Sequence, residues 1–138
     1  MDSYLKHYIN GKWVDSIGGK RHEVISPSTE EPCTEITLGT QADVDAAVSA
    51  ARQAFKTFSQ TSREERIALM NRIIEEYKKR IPDFAKSMAA EMGAPVSFAT
   101  MAQAPAGLGG FLGTLPALEN FAFKEQHGAN TVVYEPIG

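Results

Sequence analysis

The sequence predicts an α+β fold in which a small antiparallel β element is followed by three to four helices and a last strand. Residues 8–38 contain short apolar runs separated by turn residues, which is typical of strands. Residues 40–123 instead carry apolar residues at steps of three and four, which is typical of amphipathic helices. Residues 131–135 are β-branched or aromatic up to Glu135, which favours a strand.

The composition of the chain limits the kind of protein it can be. The chain has 138 residues, of which 43% are hydrophobic and 22% charged, and its net charge is −3. These values are ordinary for a globular domain, and the length suffices to bury about two thirds of the unfolded surface. Nothing in the charge favours nucleic acid or an anionic membrane as a partner. The single cysteine, Cys33, excludes an internal disulfide, and no signal peptide is evident, so we expect a cytoplasmic location.

The β element is predicted from its turns. Asn10-Gly11 lies between two short runs at residues 8–9 and 12–14, and this dipeptide is typical of a two-residue hairpin turn. Two further strands are expected at residues 22–25 and 34–38. The segment between them contains two prolines, which remove backbone donors, and is predicted to be a loop.

The helices are predicted from their capping residues. Thr40 with Asp43 resembles a capping arrangement and predicts a helix over residues 40–58. Ser62 with Glu65 forms a capping box and predicts the start of a second helix. Pro82 cannot continue a helix smoothly, so we expect a new helix to begin there.

The second helix is also expected to carry two ion pairs on its solvent face. Glu75 and Lys79 are four residues apart, as are Glu76 and Arg80. In this order such pairs stabilise a helix.

Residues 92–118 contain no charged residue, five glycines and three prolines. The length would suit a membrane span, but the prolines and the polar residues dilute its hydrophobicity. We therefore predict a buried, interrupted helix. The segment around Gly128 is predicted to be a turn that precedes the last strand.

Several short motifs combine into a family resemblance. They are Tyr-Ile-Asn-Gly-Lys-Trp at residues 8–13, Val-Ile-Ser-Pro-Ser-Thr-Glu-Glu at 24–31, Asp-Val-Asp-Ala-Ala-Val at 43–48, Glu-Met-Gly-Ala-Pro at 91–95 and Glu-Pro-Ile-Gly at 135–138. Together they resemble the N-terminal segment of an NAD(P)-dependent aldehyde dehydrogenase over most of residues 8–138. Phe58 departs from the family, where a tryptophan is common at this position.

The resemblance implies a function for a longer polypeptide. In the family a cysteine thiolate attacks the aldehyde, hydride passes to NAD or NADP, and a glutamate activates the water that releases the acid. The cysteine lies in a Gly-Gln-x-Cys context and the glutamate in Glu-Leu-Gly-Gly, and residues 1–138 contain neither context. The resemblance therefore implies an incomplete segment, truncated before the Rossmann-like sheet and inactive alone, with no catalytic, cofactor-binding or metal-binding residue of its own.

Other parts of the chain have implied roles in assembly and substrate access. The strand at residues 131–135 is expected to belong to an oligomerisation arm, so the partner is expected to be a second copy of the chain in a dimer or tetramer. Residues Leu108, Phe111, Leu112 and Leu115 could line the approach to the aldehyde site. Core packing is the favoured interpretation of these four, because they recur at helical spacing.

Candidate chemistry within the chain itself is weak. Cys33 has no nearby histidine or helix N-terminus to lower its pKa, so we expect a structural or partly exposed thiol. The histidines His7, His22 and His127 lack metal-ligand spacing and are expected at the surface. Residues 107–113 lack the strand and the third glycine of a dinucleotide-binding loop. Four acidic pairs are interpreted as solvated: Asp43/Asp45, Glu30/Glu31, Glu64/Glu65 and Glu75/Glu76.

Two alternatives from other classes remain open at this stage. The chain could be a non-catalytic assembly protein that acts through its β arm and helices. A hydrophobic helical protein that uses residues 92–118 at a membrane is the weaker alternative.

Overall fold

The structure is a computed structural model that describes residues 3–136. Within that range the fold is α+β, as predicted. The strands are β1 Ser3–Tyr4, β2 Lys6–Ile9, β3 Lys12–Asp15, β4 Arg21–Ile25, β5 Pro32–Thr37, β6 Lys124–His127 and β7 Asn130–Val133. The helices are α1 Gln41–Phe58, α2 Arg63–Met92, α3 Val96–Phe98 and α4 Ala104–Asn120, with a π-helical segment at Ala99–Gln103.

The predicted Asn-Gly hairpin is confirmed. Strands β2 and β3 pair antiparallel, with Ile9 opposite Lys12, so Asn10 and Gly11 form the two-residue turn. Their φ angles are 52° and 74°, as a type I′ turn requires. This hairpin forms a two-stranded sheet of its own.

A second sheet has the order β1-β5-β4. The antiparallel pairing of β4 and β5 confirms the strands expected at residues 22–25 and 34–38, with shifted ends. The antiparallel β element predicted over residues 8–38 is therefore confirmed, but its two hairpins lie in separate sheets, and the additional strand β1, which was not predicted, pairs parallel to β5. A two-residue strand has too little sequence to show a period of two, so the pattern could not reveal β1.

Both predicted helix starts are confirmed. At α1 the Thr40 side chain accepts from the Asp43 amide, and the Asp43 side chain accepts from the Thr40 amide. At α2 Ser62 and Glu65 exchange the same two bonds. The apolar stripe of α1 is largely exposed, with Val44 52% and Val48 46% accessible.

The prediction that a new helix begins at Pro82 was wrong. Helix α2 continues through Pro82 to Met92 and ends at Gly93, whose φ of 69° is left-handed. Proline removes one hydrogen bond from a helix interior and its ring crowds the carbonyl four residues earlier, at a cost of about 3 kcal/mol. The helix stays continuous because Ile81 and Ala85, on either side of Pro82, both pack into the same core.

The two predicted ion pairs of α2 were also assigned wrongly. The pairs that form are Glu75 with Lys78, at 2.7 Å, and Glu76 with Lys79, at 2.6 Å. Spacings of three and four both bring side chains together on a helix, so sequence alone could not choose between them.

The core is small and is built from alanines. Ala85 of α2 packs against Ala99 of the π-helical segment and Ala104 of α4, and each is at most 2% exposed. The predicted interruption of the helix within residues 92–118 is confirmed, because the backbone passes from α3 through the π turn into α4. The predicted burial is only partial, since Met101 is 76% and Leu112 47% exposed.

Gly107 lets α2 and α4 approach closely. The hydroxyl of Tyr77 donates to the carbonyl of Ala104 at 2.9 Å, and its ring contacts Phe84 and Phe111. A Cβ added at Gly107 would lie 2.1 Å from the Tyr77 hydroxyl oxygen. Gly110, three residues further along α4, has no atom within 4 Å of such a Cβ.

The last strand predicted at residues 131–135 is observed as β7, and it pairs antiparallel with β6. Strand β6 was not predicted; its sequence Lys-Glu-Gln-His has no apolar alternation that would mark a strand. The Glu-Pro-Ile-Gly segment was expected to lead into a nucleotide-binding strand, and its last two residues lie outside the described range.

Less surface is buried than the chain length led us to expect. The accessible surface is 10135 Å², whereas a compact monomer of 15.0 kDa exposes about 7000 Å². About half of the unfolded surface is therefore buried, instead of two thirds. Among the described residues no large side chain is fully buried.

The contrast between Gly107 and Gly110 gives a matched pair of substitutions. We expect Gly107→Ala to destabilise the chain by about 1–3 kcal/mol, because the added methyl displaces Tyr77 from its partner carbonyl. Gly110→Ala should instead stabilise it by up to about 1 kcal/mol, since alanine favours the helix and meets open space. Urea unfolding followed by circular dichroism measures both, and equal effects of the two substitutions would contradict the packing described for α4.

Candidate functional site

The most tightly organised polar site in the described chain surrounds Asp43, which is 5% exposed. One carboxylate oxygen accepts from the Ser16 hydroxyl at 2.5 Å and from the Thr40 amide at 2.8 Å. The other oxygen accepts from the Ile17 amide at 2.9 Å. The carboxylate therefore joins the β3–β4 connection to the first turn of α1.

These hydrogen bonds control the protonation of Asp43. The Ser16 hydroxyl contributes most, followed by the amides of Thr40 and Ile17, and together they hold the pKa of this carboxyl well below its usual range. The carboxylate is thus ionised and held in place at neutral pH. Because both oxygens are occupied by neighbouring donors, its geometry suits a structural role better than that of a general base.

His7 of β2 faces the same carboxylate. Its Nε2 atom lies 4.0 Å from the nearer oxygen of Asp43, and its side chain is 27% exposed. That nitrogen is buried and has no hydrogen-bond partner in the described part of the chain. The expectation that His7 lies on the surface was therefore only partly right, because the ring is turned toward α1.

The sequence interpretation of the acidic pairs was wrong for Asp43. Asp45 is exposed and accepts from Gln41 at 2.8 Å, whereas Asp43 is buried. The other three pairs are exposed, as expected. The sequence signal that could have found Asp43 was its place at the third position of a capping box, where the side chain turns back toward the chain.

The remaining candidate residues lie apart from one another. Cys33 is half-buried on β5, and its thiol donates to the carbonyl of Val24 at 3.3 Å. His22 is exposed on β4, and His127 is exposed on β6 beside Glu125, at 2.9 Å. Within residues 3–136 no three acidic, histidine or cysteine side chains are grouped in a way that could hold a metal ion.

The glycine-rich run at residues 107–113 lies inside α4. A phosphate-binding loop needs a strand-to-turn-to-helix geometry that leaves backbone amides free. Here the preceding residues are already helical, so the amides of this run belong to the helix. The geometry does not fit a dinucleotide phosphate.

The four apolar residues considered for an aldehyde approach divide between two environments. Leu108, Phe111 and Leu115 are half-buried, and the Phe111 ring lies 5.9 Å from that of Tyr77 on α2. Leu112 is 47% exposed. Most of this group therefore packs within the chain, while Leu112 contributes to an outer apolar surface.

That outer surface is named here the α3–α4 surface. It comprises five exposed side chains of α3, the π-helical segment and the residues on either side: Met92, Val96, Phe98, Met101 and Leu112. Each is at least 47% accessible. Large contiguous areas of exposed apolar side chains are a common feature of interaction sites. No helix in the described chain is both long and apolar enough to cross a membrane.

A second organised region lies at the base of the β6–β7 hairpin. The Arg63 guanidinium donates to the carbonyl of Glu119 at 3.0 Å and to the carbonyl of Phe121. These two hydrogen bonds cap the C-terminal end of α4. It also lies 5.3 Å from the centre of the Phe123 ring. Phe121 contacts both Phe123 and Tyr134, so Arg63 fixes the hairpin to the helices.

This architecture is that of solved aldehyde dehydrogenases. The structure of the enzyme from Bartonella henselae is similar with a TM-score of 0.90 and 40% identity, over 94% of this chain and 28% of that one. Aldehyde dehydrogenase C of Pseudomonas syringae, a mutant complexed with NAD+ and octanal, is similar with a TM-score of 0.89 and 34% identity, over 92% and 26%.

Sequence comparison points to the same family as the structural comparison. A family profile described as the aldehyde dehydrogenase family matches residues 13–138. A putative aldehyde dehydrogenase of Staphylococcus aureus strain bovine RF122 / ET3-1 is 42% identical over 138 residues, which are all of this chain and 29% of the relative. The chain belongs to the aldehyde dehydrogenase family and corresponds to its N-terminal segment. It spans less than a third of the length of these relatives.

The low pKa of Asp43 predicts a change in acid stability. Because the folded pKa lies below the unfolded value, the contribution of Asp43 is complete above about pH 4 and is lost as the pH falls below it. Asp43→Asn should therefore unfold more easily at pH 7, and the difference from the parent chain should shrink as the pH falls.

Chemical unfolding at several pH values between neutral and strongly acidic measures this difference. The pKa values of Glu64 and Glu76 are also lowered, by the backbone amide of Glu64 itself and by Lys79, but both groups remain in the variant. Asp45→Asn is the matched control and should have little effect. A pH-independent difference for Asp43→Asn would show that ionisation is not what this site contributes.

Proposed function

We propose that this chain is the N-terminal scaffold segment of an NAD(P)-dependent aldehyde dehydrogenase that oxidises aldehydes to carboxylic acids in the cytoplasm. The observation that supports this most directly is the family match over residues 13–138, together with the 0.90 TM-score to the Bartonella henselae enzyme. The Pseudomonas syringae and Mycobacterium tuberculosis structures contain NAD+, which supports the same cofactor or NADP for the complete enzyme.

The chemistry is proposed to reside on polypeptide other than residues 1–138. Asp43, the most organised carboxylate, is engaged in structural hydrogen bonds. The thiol of Cys33 donates to a strand carbonyl, and the glycine-rich run is helical. These residues suit a scaffold, and no step of aldehyde oxidation is assigned to them.

The α3–α4 surface is proposed to be the docking face for the rest of the family fold. The whole chain exposes roughly 3000 Å² more than a compact monomer, and the side chains of the α3–α4 surface contribute to that excess. A typical interface buries about 800 Å² on each partner, so the excess exceeds what one such contact needs.

The β6–β7 hairpin is proposed to be an arm for oligomerisation with further copies, in a dimer or tetramer. Both strands are mostly exposed, and their outer edges are unpaired among the described residues. Exposed edges accept further strands. A non-catalytic assembly protein is the alternative, and the same exposed hairpin favours it.

The uncovered α3–α4 surface predicts binding of a hydrophobic dye. The purified chain should enhance the fluorescence of such a dye or self-associate, because large exposed apolar patches drive association. Met101→Gln and Leu112→Gln should each weaken the signal, whereas the exposed Lys86→Gln should leave it unchanged. A monodisperse, dye-silent monomer would argue against an uncovered docking face.

The proposal that the catalytic groups lie outside residues 1–138 predicts the results of two activity assays. The purified chain with octanal and NAD+ or NADP+ should produce no reduced cofactor above background. A chimera in which residues 1–138 replace the matching 29% of the Staphylococcus aureus relative should show the aldehyde oxidation of that relative, if the relative has it.

Absorbance of the reduced cofactor measures both, with the unmodified relative as the reference. Aldehyde oxidation by the chain alone would refute the assignment of chemistry elsewhere. A folded chimera that assembles without activity, beside an active relative, would favour the assembly protein.

A further inference from the structure

The tip of the β2–β3 hairpin combines three features that matter for its chemical stability. Asn10 is exposed, and its side chain has no hydrogen-bond partner in the part of the chain that the structure describes. The next residue, Gly11, has no side chain, and a Cβ added there would meet nothing within 4 Å. The other asparagines of the chain are followed by larger residues: Asn71 by Arg72, Asn120 by Phe121 and Asn130 by Thr131.

We propose that Asn10 is a site of spontaneous deamidation. The backbone nitrogen of Gly11 attacks the side-chain carbonyl carbon of Asn10, a C–N bond forms, and the side-chain nitrogen leaves as ammonia. Water then opens the resulting succinimide ring at either carbonyl. Opening at one carbonyl gives aspartate, and opening at the other gives isoaspartate, in which the main chain runs through the former side chain. The reaction consumes only water and releases only ammonia.

Glycine accelerates this attack because no side chain shields the nitrogen. The closed turn holds Asn10 at φ 52°, in the left-handed region, and ψ at this position of a type I′ turn is about 30°. Ring closure requires rotation of the Asn10–Gly11 peptide away from that geometry. The hairpin must therefore open before the nitrogen reaches the side chain.

Opening is easy at this place in the fold. Strands β2 and β3 have four residues each and, within residues 3–136, pair only with one another. A two-stranded hairpin is marginally stable by itself, and exposed loop tips open most readily. Trp13 and Tyr8, the aromatic pair across the hairpin, are 67% and 63% exposed and so anchor it weakly.

The isoaspartyl product should loosen the hairpin irreversibly. It adds one backbone atom to a two-residue turn, so Ile9 and Lys12 no longer face each other in the observed register. The same hairpin carries His7 toward Asp43 and lines the groove against Ala47 and Ala50 of α1. A slipped register turns His7 away from α1.

Ageing of the whole chain tests the proposal. The purified chain is incubated at mildly alkaline pH and body temperature, then digested and analysed by tandem mass spectrometry. We expect the peptide containing Asn10 to convert to the acid forms several-fold faster than the peptides containing Asn120 and Asn130. Conversion of Asn10 no faster than theirs overturns the proposal. So does conversion that occurs only when the chain is unfolded in urea.

Two variants separate the charge from the altered backbone. Asn10→Gly keeps a turn sequence compatible with type I′ and should give no acid form. Asn10→Asp introduces the charge alone, and Asp-Gly also favours this turn, so its hairpin amides should exchange hydrogen as slowly as in the parent. The isoaspartyl fraction, separated by chromatography, should exchange them several-fold faster. Equal exchange in that fraction and the fresh chain would overturn the inferred loosening.

Discussion

The architecture depends on how closely α2 and α4 pack. Ala85, Ala99 and Ala104 meet in the core, and the absence of a side chain at Gly107 lets Tyr77 bond to a helix carbonyl. Small residues bring backbones together but bury little apolar area. The larger side chains of the α3–α4 surface are exposed, and they contribute to the accessible surface of 10135 Å². Under the proposed function, further polypeptide packs against these exposed apolar side chains and completes the core.

Two polar sites compensate by fixing segments that apolar packing leaves loosely held. The Asp43 carboxylate joins the β3–β4 connection to the start of α1 through hydrogen bonds from Ser16, Ile17 and Thr40. The Arg63 guanidinium joins the start of α2 to the end of α4 and to the base of the β6–β7 hairpin. Charged groups make stronger hydrogen bonds than neutral ones, so each site can hold a loop without a large core behind it. Both fit the proposed scaffold role.

Much of this fold could be predicted from the sequence, because its strongest signals are local. The Asn10-Gly11 turn and the two capping boxes depend on neighbouring residues, and all three are confirmed. Two of the errors involve contacts between residues that are distant in sequence. Pro82 was expected to start a helix, but packing of its neighbours against residues far along the chain keeps α2 continuous. The burial of Asp43 depends on Ser16 and Ile17, which are more than twenty residues away in the sequence. Local sequence patterns do not predict such distant hydrogen-bond partners.

Hydrogen exchange at the amides of α4 tests most directly whether this helix needs further polypeptide packed against it to be stable. The comparison is between the chain alone and the same residues within the chimera, measured residue by residue under native conditions. The account predicts fast exchange along α4 in the chain alone and strong protection in the chimera, while the Asp43 capping turn is protected in both. Equal, slow exchange of α4 in the two proteins would contradict it, because the helix would then be stable without further polypeptide.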